Sequence, residues 1–238
     1  MDPFRYEQFC PLARATEILG HRWVLLILRE LFVGPQRFSD LRRRLRGVSS
    51  SVLTDRLAAL EEQGVVARRE LSPPAASSVY ELTSDGRALE PALLALVRWG
   101  ARLILPPTPG DHVEPDWLAM GAEAFASKGP TPHRRFELRV RSVDSEGVES
   151  EAVVRVAGGP EGTRVIHDDL PVDASIQAPV MVVMGLMSGA LPAAEALANG
   201  AVTVEGDAEV LSDLPALFEI QLERETQLER ETPKGASP

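Results

Sequence analysis

"DLRRRLRGVSSSVLTDRLAALEEQGVV", residues 40–66, sets four arginines into positions 42–46, follows them with three serines, and then continues at helical spacing. Leu53, Leu57 and Leu60 form the inward stripe of a helix that begins at the serines and ends at Gln63-Gly64. Its opposite face is Ser51, Thr54, Asp55, Ala58 and Glu62, of which the first four are short. A short polar face lets a helix enter the major groove of DNA, where long side chains would hold it away from base edges. Serines at the helix start offer N-caps and backbone N–H groups that can meet a phosphate.

The flanking text fits the same reading. In "RFSDLRRRL" (37–45) Phe38, Leu41 and Leu45 stand at i, i+3 and i+7, which predicts a helix with Arg42, Arg43 and Arg44 turned outward and Gly47 ending it. Ahead of it, "HRWVLLILRELF" (21–32) puts Trp23, Leu26, Ile27, Glu30 and Leu31 on one side of a core helix bounded by Gly20 and Gly34-Pro35. After Gly64 the period changes: "VVARREL" and "SVYELT" are strand-like runs joined by "SPPAAS", a proline-containing hairpin tip. "SDGRALEPALLALVRWGARLIL" (84–105) then predicts a closing helix from about Gly86. Its Leu93, Leu96 and Trp99 exceed what a small domain covers by itself, which points to a dimer helix. Helices, a hairpin and a further helix make a winged helix-turn-helix.

An acidic chain can carry such a surface because its charge is divided. The 238 residues have a net charge of −10, yet residues 1–105 hold 15 Arg and 12 Asp+Glu, a net of +3, while residues 106–238 carry −13. Only the first half suits a polyanionic partner. The break falls at "LPPTPGDHVEP" (105–115), where four prolines and a glycine interrupt any helix or central strand. The expected organisation is a winged-helix domain at 1–105, a linker at 106–115, a second domain at 116–222 and a polar tail at 223–238. The tail contains the duplication "QLERETQLERET", whose six-residue period sustains no helical seam.

In the second half, residues 111–126 read as a short helix, and "RFELRVRSV", "ESEAVVRVAG" and "GTRVIH" alternate like successive antiparallel strands, giving an α+β class. "APVMVVMGLMSG" (178–189) is too apolar for a surface helix. Its Met181, Met184 and Met187 at i, i+3 and i+6 read either as an adaptable lining for an apolar ligand or as part of a buried packing helix.

Several function classes have no support in the residues. No nucleophile elbow, phosphate loop, dinucleotide fingerprint or H-E-x-x-H occurs, and the four histidines are scattered, so neither catalysis, a cofactor nor a metal is expected. Cys10 is the single cysteine, which excludes an intrachain disulfide and fits a reducing compartment. It reads as a small buried hydrophobe, with a redox-sensing thiol as the alternative. The start "MDPFRYEQFC" has no apolar leader, and the longest near-apolar run, Ala178 to Met187, is too short to span a bilayer, so a cytoplasmic protein without a membrane partner is expected.

"CPLARATEILGHRWVLLILREL", "RFSDLRRRLRGVSSSVLTDRLAALEEQGVVAR" and "YELTSDGRALEPALLALVRWG" together resemble the HxlR-type winged-helix regulators over residues 8–100. The resemblance implies a homodimeric bacterial transcription regulator, usually a repressor, with the N-terminal segment and the closing helix forming the dimer. It also implies that the helix at the serines reads a double-stranded operator. The Cys10 position matches a cysteine that some relatives use to sense oxidants or electrophiles. Residues 175–218 resemble the sterol-carrier-protein type lipid-binding domain, with a helix, a small-residue turn, a second helix, a strand from Gly200 to Gly206-Asp207 and a final helix. That resemblance implies a sheet and helices enclosing a hydrophobic tunnel.

The sequence therefore predicts a DNA-binding regulator. Ser50, Ser51, Thr54 and Arg56 are expected near base edges and Arg42, Arg43, Arg44 and Arg46 on phosphates, with Ser39, Ser49 and Asp55 also counted among the DNA-binding residues. Arg68 and Arg69 lie on the first wing strand, where alternation sends one of them away from DNA. The second domain is expected to hold a hydrophobic small-molecule effector at its methionines. Its alternative is a ligand-free dimerisation or partner-binding module, recognisable by a side-chain-filled interior. A third reading, an enzyme or lipid-transfer protein with a borrowed winged helix, lacks catalytic groups.

Overall fold

A computed structural model describes residues 5–72, 77–104, 111–143 and 147–220. The first half contains α1 (Pro11–Leu19), α2 (Val24–Val33), α3 (Phe38–Arg44) and α4 (Ser50–Glu62), then β1 (Val66–Glu70) and β2 (Ser78–Leu82). Ile27, Leu31, Leu41, Leu45, Leu53, Leu57 and Leu60 are fully buried together, so the inward stripes of α2, α3 and α4 share one core. Gly47 turns the chain between α3 and α4 at φ +87°, a left-handed conformation that glycine adopts without a Cβ penalty.

β1 and β2 pair antiparallel with Arg68 opposite Tyr80, and Gln36 extends this wing by exchanging backbone hydrogen bonds with Tyr80 at 2.9 and 2.8 Å. At the wing exit, Thr83 donates its hydroxyl to the Gly64 carbonyl at 2.5 Å and accepts from the Gly86 N–H at 3.1 Å. A Cβ on Gly86 would run into the Val65 carbonyl oxygen, which is why the chain needs glycine where it returns beneath the wing.

The closing helix differs from the continuous one expected from about Gly86. It is divided into α5 (Ser84–Arg87) and α6 (Glu90–Ala101). Pro91 lies in the first turn of α6, where its missing N–H costs nothing, whereas inside a longer helix it would have removed a bond.

The second half opens with α7 (Trp117–Phe125) and continues through β3 (Arg135–Val143), β4 (Glu149–Ala157), β5 (Arg164–Ile166), β6 (Ala174–Pro179), α8 (Val180–Ser188), α9 (Ala193–Ala198), β7 (Thr203–Gly206) and α10 (Val210–Leu217). The five strands form one sheet in the order β5-β4-β3-β6-β7. β3 runs parallel to β6, and the other pairs are antiparallel. The expected antiparallel run covers β3 to β5. β6 is a strand that the sequence reading lacks, although Ala174, Ile176 and Ala178 are buried while Ser175 and Gln177 are half-buried between them, a short period-2 alternation.

One sheet face, including Phe136, Leu138, Val140, Val156 and Ile176, is packed into a core with α8 and α10. The other face carries Glu137, which is buried yet accepts from Ser175 Oγ at 2.9 Å and Arg139 Nε at 2.8 Å and lies 3.4 Å from Arg155. Burial works against its charge, but these bonds outweigh it and hold the carboxyl below the usual carboxylate range. Residues 217–219 close back on the end of α7. Ala126 bridges Phe218, the Glu219 N–H donates to the Phe125 carbonyl at 2.7 Å, and the Ser127 N–H donates to the Leu217 carbonyl at 3.1 Å.

The methionines of α8 differ in burial. Met187 is buried in the core, Met184 packs partly buried against it, and Met181 is 47% exposed. At 3.6 residues per turn, positions i and i+6 point about 120° apart, so Met181 and Met187 face different surroundings. A third, smaller cluster joins the halves: Leu94 of α6 packs with Met120 and Ala124 of α7, together with Phe32 and Val97. Half of the expected linker, residues 106–110, residues 73–76 of the expected hairpin tip and the tail at 223–238 lie outside the described residues.

Candidate nucleic-acid interface

The geometry of α4 follows from its first turn. Ser49 caps it by accepting from the Val52 N–H at 3.3 Å, and its hydroxyl is 3.1 Å from that of Ser51. With Leu53, Leu57 and Leu60 locked into the core, Ser51, Thr54, Asp55, Ala58 and Glu62 are exposed. Ser50 and Arg56 are half-buried, and Arg56 Nε is enclosed with no hydrogen-bond partner. The short polar face expected from spacing is thus present.

The arginine run is not one surface. Arg42, Arg43 and Arg46 are exposed, as is Ser39, but Arg44 is only 7% exposed, so the expectation that it turns outward to a phosphate is corrected. Its Nε donates to Glu30 at 2.5 Å, its Nη2 to Asp116 at 2.6 Å, and its Nη1 to Glu114 at 3.5 Å. Burial opposes the charge on Arg44, but the Asp116 hydrogen bond and the Glu30 carboxylate outweigh it and raise its pKa above the ordinary arginine value. The fully buried Glu30 also accepts from Arg29 at 2.6 Å and from the Trp117 indole N–H at 3.0 Å. Arg29 stacks on the Trp117 ring at 3.6 Å, and His112 meets that ring edge-on at 5.2 Å. The sequence carries a signal for this cluster: Leu41, Arg44, Leu45 and Val48 are i, i+3, i+4 and i+7, an inward stripe that includes the arginine.

On the wing, Arg68 shares a face with Tyr80 and donates to Ser78 Oγ at 2.8 Å. Arg69 lies on the other face and grips Glu81 in a two-pronged pair at 2.9–3.0 Å, which raises its pKa and holds that of Glu81 down. Arg69 is therefore already matched by a carboxylate.

The expected dimer residues also divide. Leu93 is 6% exposed and belongs to the winged-helix core, a correction that follows from its i+4 spacing from Leu89, which packs on the same core. Leu96 and Trp99 are 48% and 57% exposed, and Phe9, Leu12, Leu103 and Ile104 are exposed as well. Cys10 is a half-buried free thiol at the N-cap of α1, beside a shallow groove of about 250 Å³ bordered by Tyr6, Leu12 and Thr16.

A groove of about 400 Å³ on the polar sheet face of the second domain is bordered by Glu137, Arg139, Arg155 and Asp168 and includes none of the methionines. Its charges are paired among themselves or with Arg135. Among the described residues no group of three His, Cys, Asp or Glu is placed to hold a metal, and no helix is long and apolar enough to cross a membrane.

Residues 18–107 match the HxlR-like helix-turn-helix family. An uncharacterized HTH-type transcriptional regulator of Mycobacterium tuberculosis (strain ATCC 25618 / H37Rv) is 38% identical over 144 residues, which cover 55% of this chain and 90% of that protein. The uncharacterized HTH-type transcriptional regulator YvaP of Bacillus subtilis (strain 168) is 39% identical over 100 residues, covering 42% of this chain and 93% of the relative. Among solved structures, the redox regulator HypR in its oxidized form is 31% identical, with 38% of this chain and 94% of that chain covered and a TM-score of 0.36. With a capped helix exposing short polar side chains, and with nine-tenths of each of these two relatives covered, the chain belongs to the HxlR-like helix-turn-helix family of transcriptional regulators.

Proposed function

We propose that the protein binds a double-stranded operator as a homodimer and represses transcription, with α4 in the major groove. Ser51, Thr54 and Asp55 face base edges, with Ser50 and Arg56 at the margin. Arg42, Arg43, Arg46, Ser39 and Ser49 lie along phosphates, and Arg68 reaches from the wing. The observation that carries this reading is the exposed short-side-chain face of α4 directly after the exposed Arg42, Arg43 and Arg46. Dimerisation through α6 and the N-terminal segment is supported by the exposed Leu96, Trp99, Phe9 and Leu12, apolar surface that a second copy would cover.

For the second domain the reading is a ligand-free module, because an apolar effector needs a common cavity for Met181, Met184 and Met187 and the three stand in different environments. The element order from α8 to α10 supports its likeness to the sterol-carrier-protein fold without requiring a filled tunnel. The test is selection of bound duplexes from a random DNA library with the full chain, followed by titration of Thr54→Ala. Thr54→Ala should relax sequence preference by about 1–3 kcal/mol at one position and leave the salt slope unchanged. Failure of the wild-type chain to enrich any sequence would overturn the reading.

A further inference from the structure

We propose that Asp116 and Trp117, which belong to the second half of the chain, are positioning residues for DNA recognition, so that the operator-reading geometry is completed by the second domain. This rests on the operator-binding reading above. Arg44 is the last residue of α3, and only the turn at 45–49 separates it from α4. Two of its three carboxylate partners, Glu114 and Asp116, come from the segment that leads into α7, and the third, Glu30, is itself held by the Trp117 indole. A guanidinium has a fixed planar fork, so meeting carboxylates at Nε and Nη2 sets both the position and the rotation of the α3 end. That end carries Leu45 and Val48 into the core beneath α4. The angle at which α4 leaves the domain is therefore fixed partly by groups that follow residue 107, where the match to the family model ends.

The joint has an apolar base as well. Met120 and Ala124 pack against Leu94, Val97 and Phe32, and Arg98 of α6 donates to the Ala124 carbonyl at 2.6 Å. α7 is thereby tied to α2 and α6 while Glu114 and Asp116, just ahead of it, grip Arg44 of α3. Also facing the cluster are the Arg29 guanidinium, stacked on Trp117, and the His112 ring, whose Nε2 is enclosed without a partner.

The test uses the full chain and two probes: the duplex most enriched by the wild-type protein from a random library, and a scrambled duplex of the same composition. Asp116→Asn combined with Trp117→Phe should lower the ratio of affinities, enriched to scrambled, by about 10-fold, a usual size for coupling between sites. Affinity for the scrambled duplex and its salt slope should stay at the wild-type value, because Arg42, Arg43 and Arg46 are untouched. Asp116→Glu, which keeps a carboxylate, should restore the ratio. Val183→Ala, a core truncation remote from the joint, should lower Tm and leave the ratio unchanged, which separates positioning from simple loss of stability. If the double variant does not fold, Trp117→Phe alone decides the matter, with an expected loss of about 3-fold from one hydrogen bond. A folded variant with an unchanged ratio overturns the proposal. A wild-type chain that enriches no duplex overturns the operator reading and the proposal with it.

Discussion

Arg42, Arg43 and Arg44 are chemically identical neighbours with different surroundings, and their substitution should separate two effects that are easily confused. Arg42→Ala with Arg43→Ala should weaken binding to all duplexes and reduce the slope of log K against log[salt] by about 0.9 for each phosphate that is no longer neutralised, measured by titration at several salt concentrations. Arg44→Ala should leave that slope unchanged. It should instead lower unfolding free energy by about 3 kcal/mol in denaturant titration, because Glu30 would stay buried with only Arg29 and Trp117 as donors. The exposed face of α4 is legible in the sequence because periodicity alone determines which side chains leave the core. Arg44 defeats the sequence reading because its charge suggests solvent while that same periodicity points inward. An inward Glu30 calls for an inward cation, but the carboxylates of Glu114 and Asp116 come from about 70 positions away, and no local pattern specifies such a meeting.

At the scale of elements, α6 serves two neighbours, and this accounts for the apolar excess seen in its sequence. Leu93 faces its own core, Leu94 and Val97 face α7, and Leu96 and Trp99 remain exposed. Reading the whole excess as a dimer face leaves out the helix that follows the proline-rich segment. The packing of α6 on α7 includes an unfavourable pair. Burial, and then the charge of Glu123, push the Glu90 carboxyl above its ordinary value. A raised folded-state pKa means that Glu90 contributes its full stability below about pH 4, the unfolded value, and loses it as pH rises through the folded value. Glu90→Gln should therefore raise stability at pH 7, by roughly 0.5 kcal/mol, and give no gain at pH 4, as thermal melts at the two pH values would show. In the second half, strands with nine-residue alternation are readable, whereas β6 is hidden by its fusion to the apolar α8. Its parallel pairing with β3 depends on a crossover that no strand announces in its own sequence.

For the whole molecule, the exposed Leu96 and Trp99 predict self-association of the full chain. Sedimentation at micromolar concentration should give twice the chain mass, and Leu96→Asp with Trp99→Asp should give a monomer that retains its fold, since both side chains lie outside the cores. A wild-type monomer would overturn the dimer reading, and a double variant that stays dimeric would move the interface to another face. The clasp that fastens the end of α7 to residues 217–219 also imposes an order on synthesis. Every buried residue of the winged-helix core has left the ribosome by Leu93, whereas the segment that secures α7 emerges more than 100 residues later. At roughly 5–20 residues per second, a nascent DNA-binding domain exists for on the order of ten seconds before its neighbour can be completed. During that interval α7 has its contacts with α2 and α6 but not the partners at residues 217–219, so newly made protein passes through a stage in which the winged-helix half is folded while the end of α7 is still unfastened.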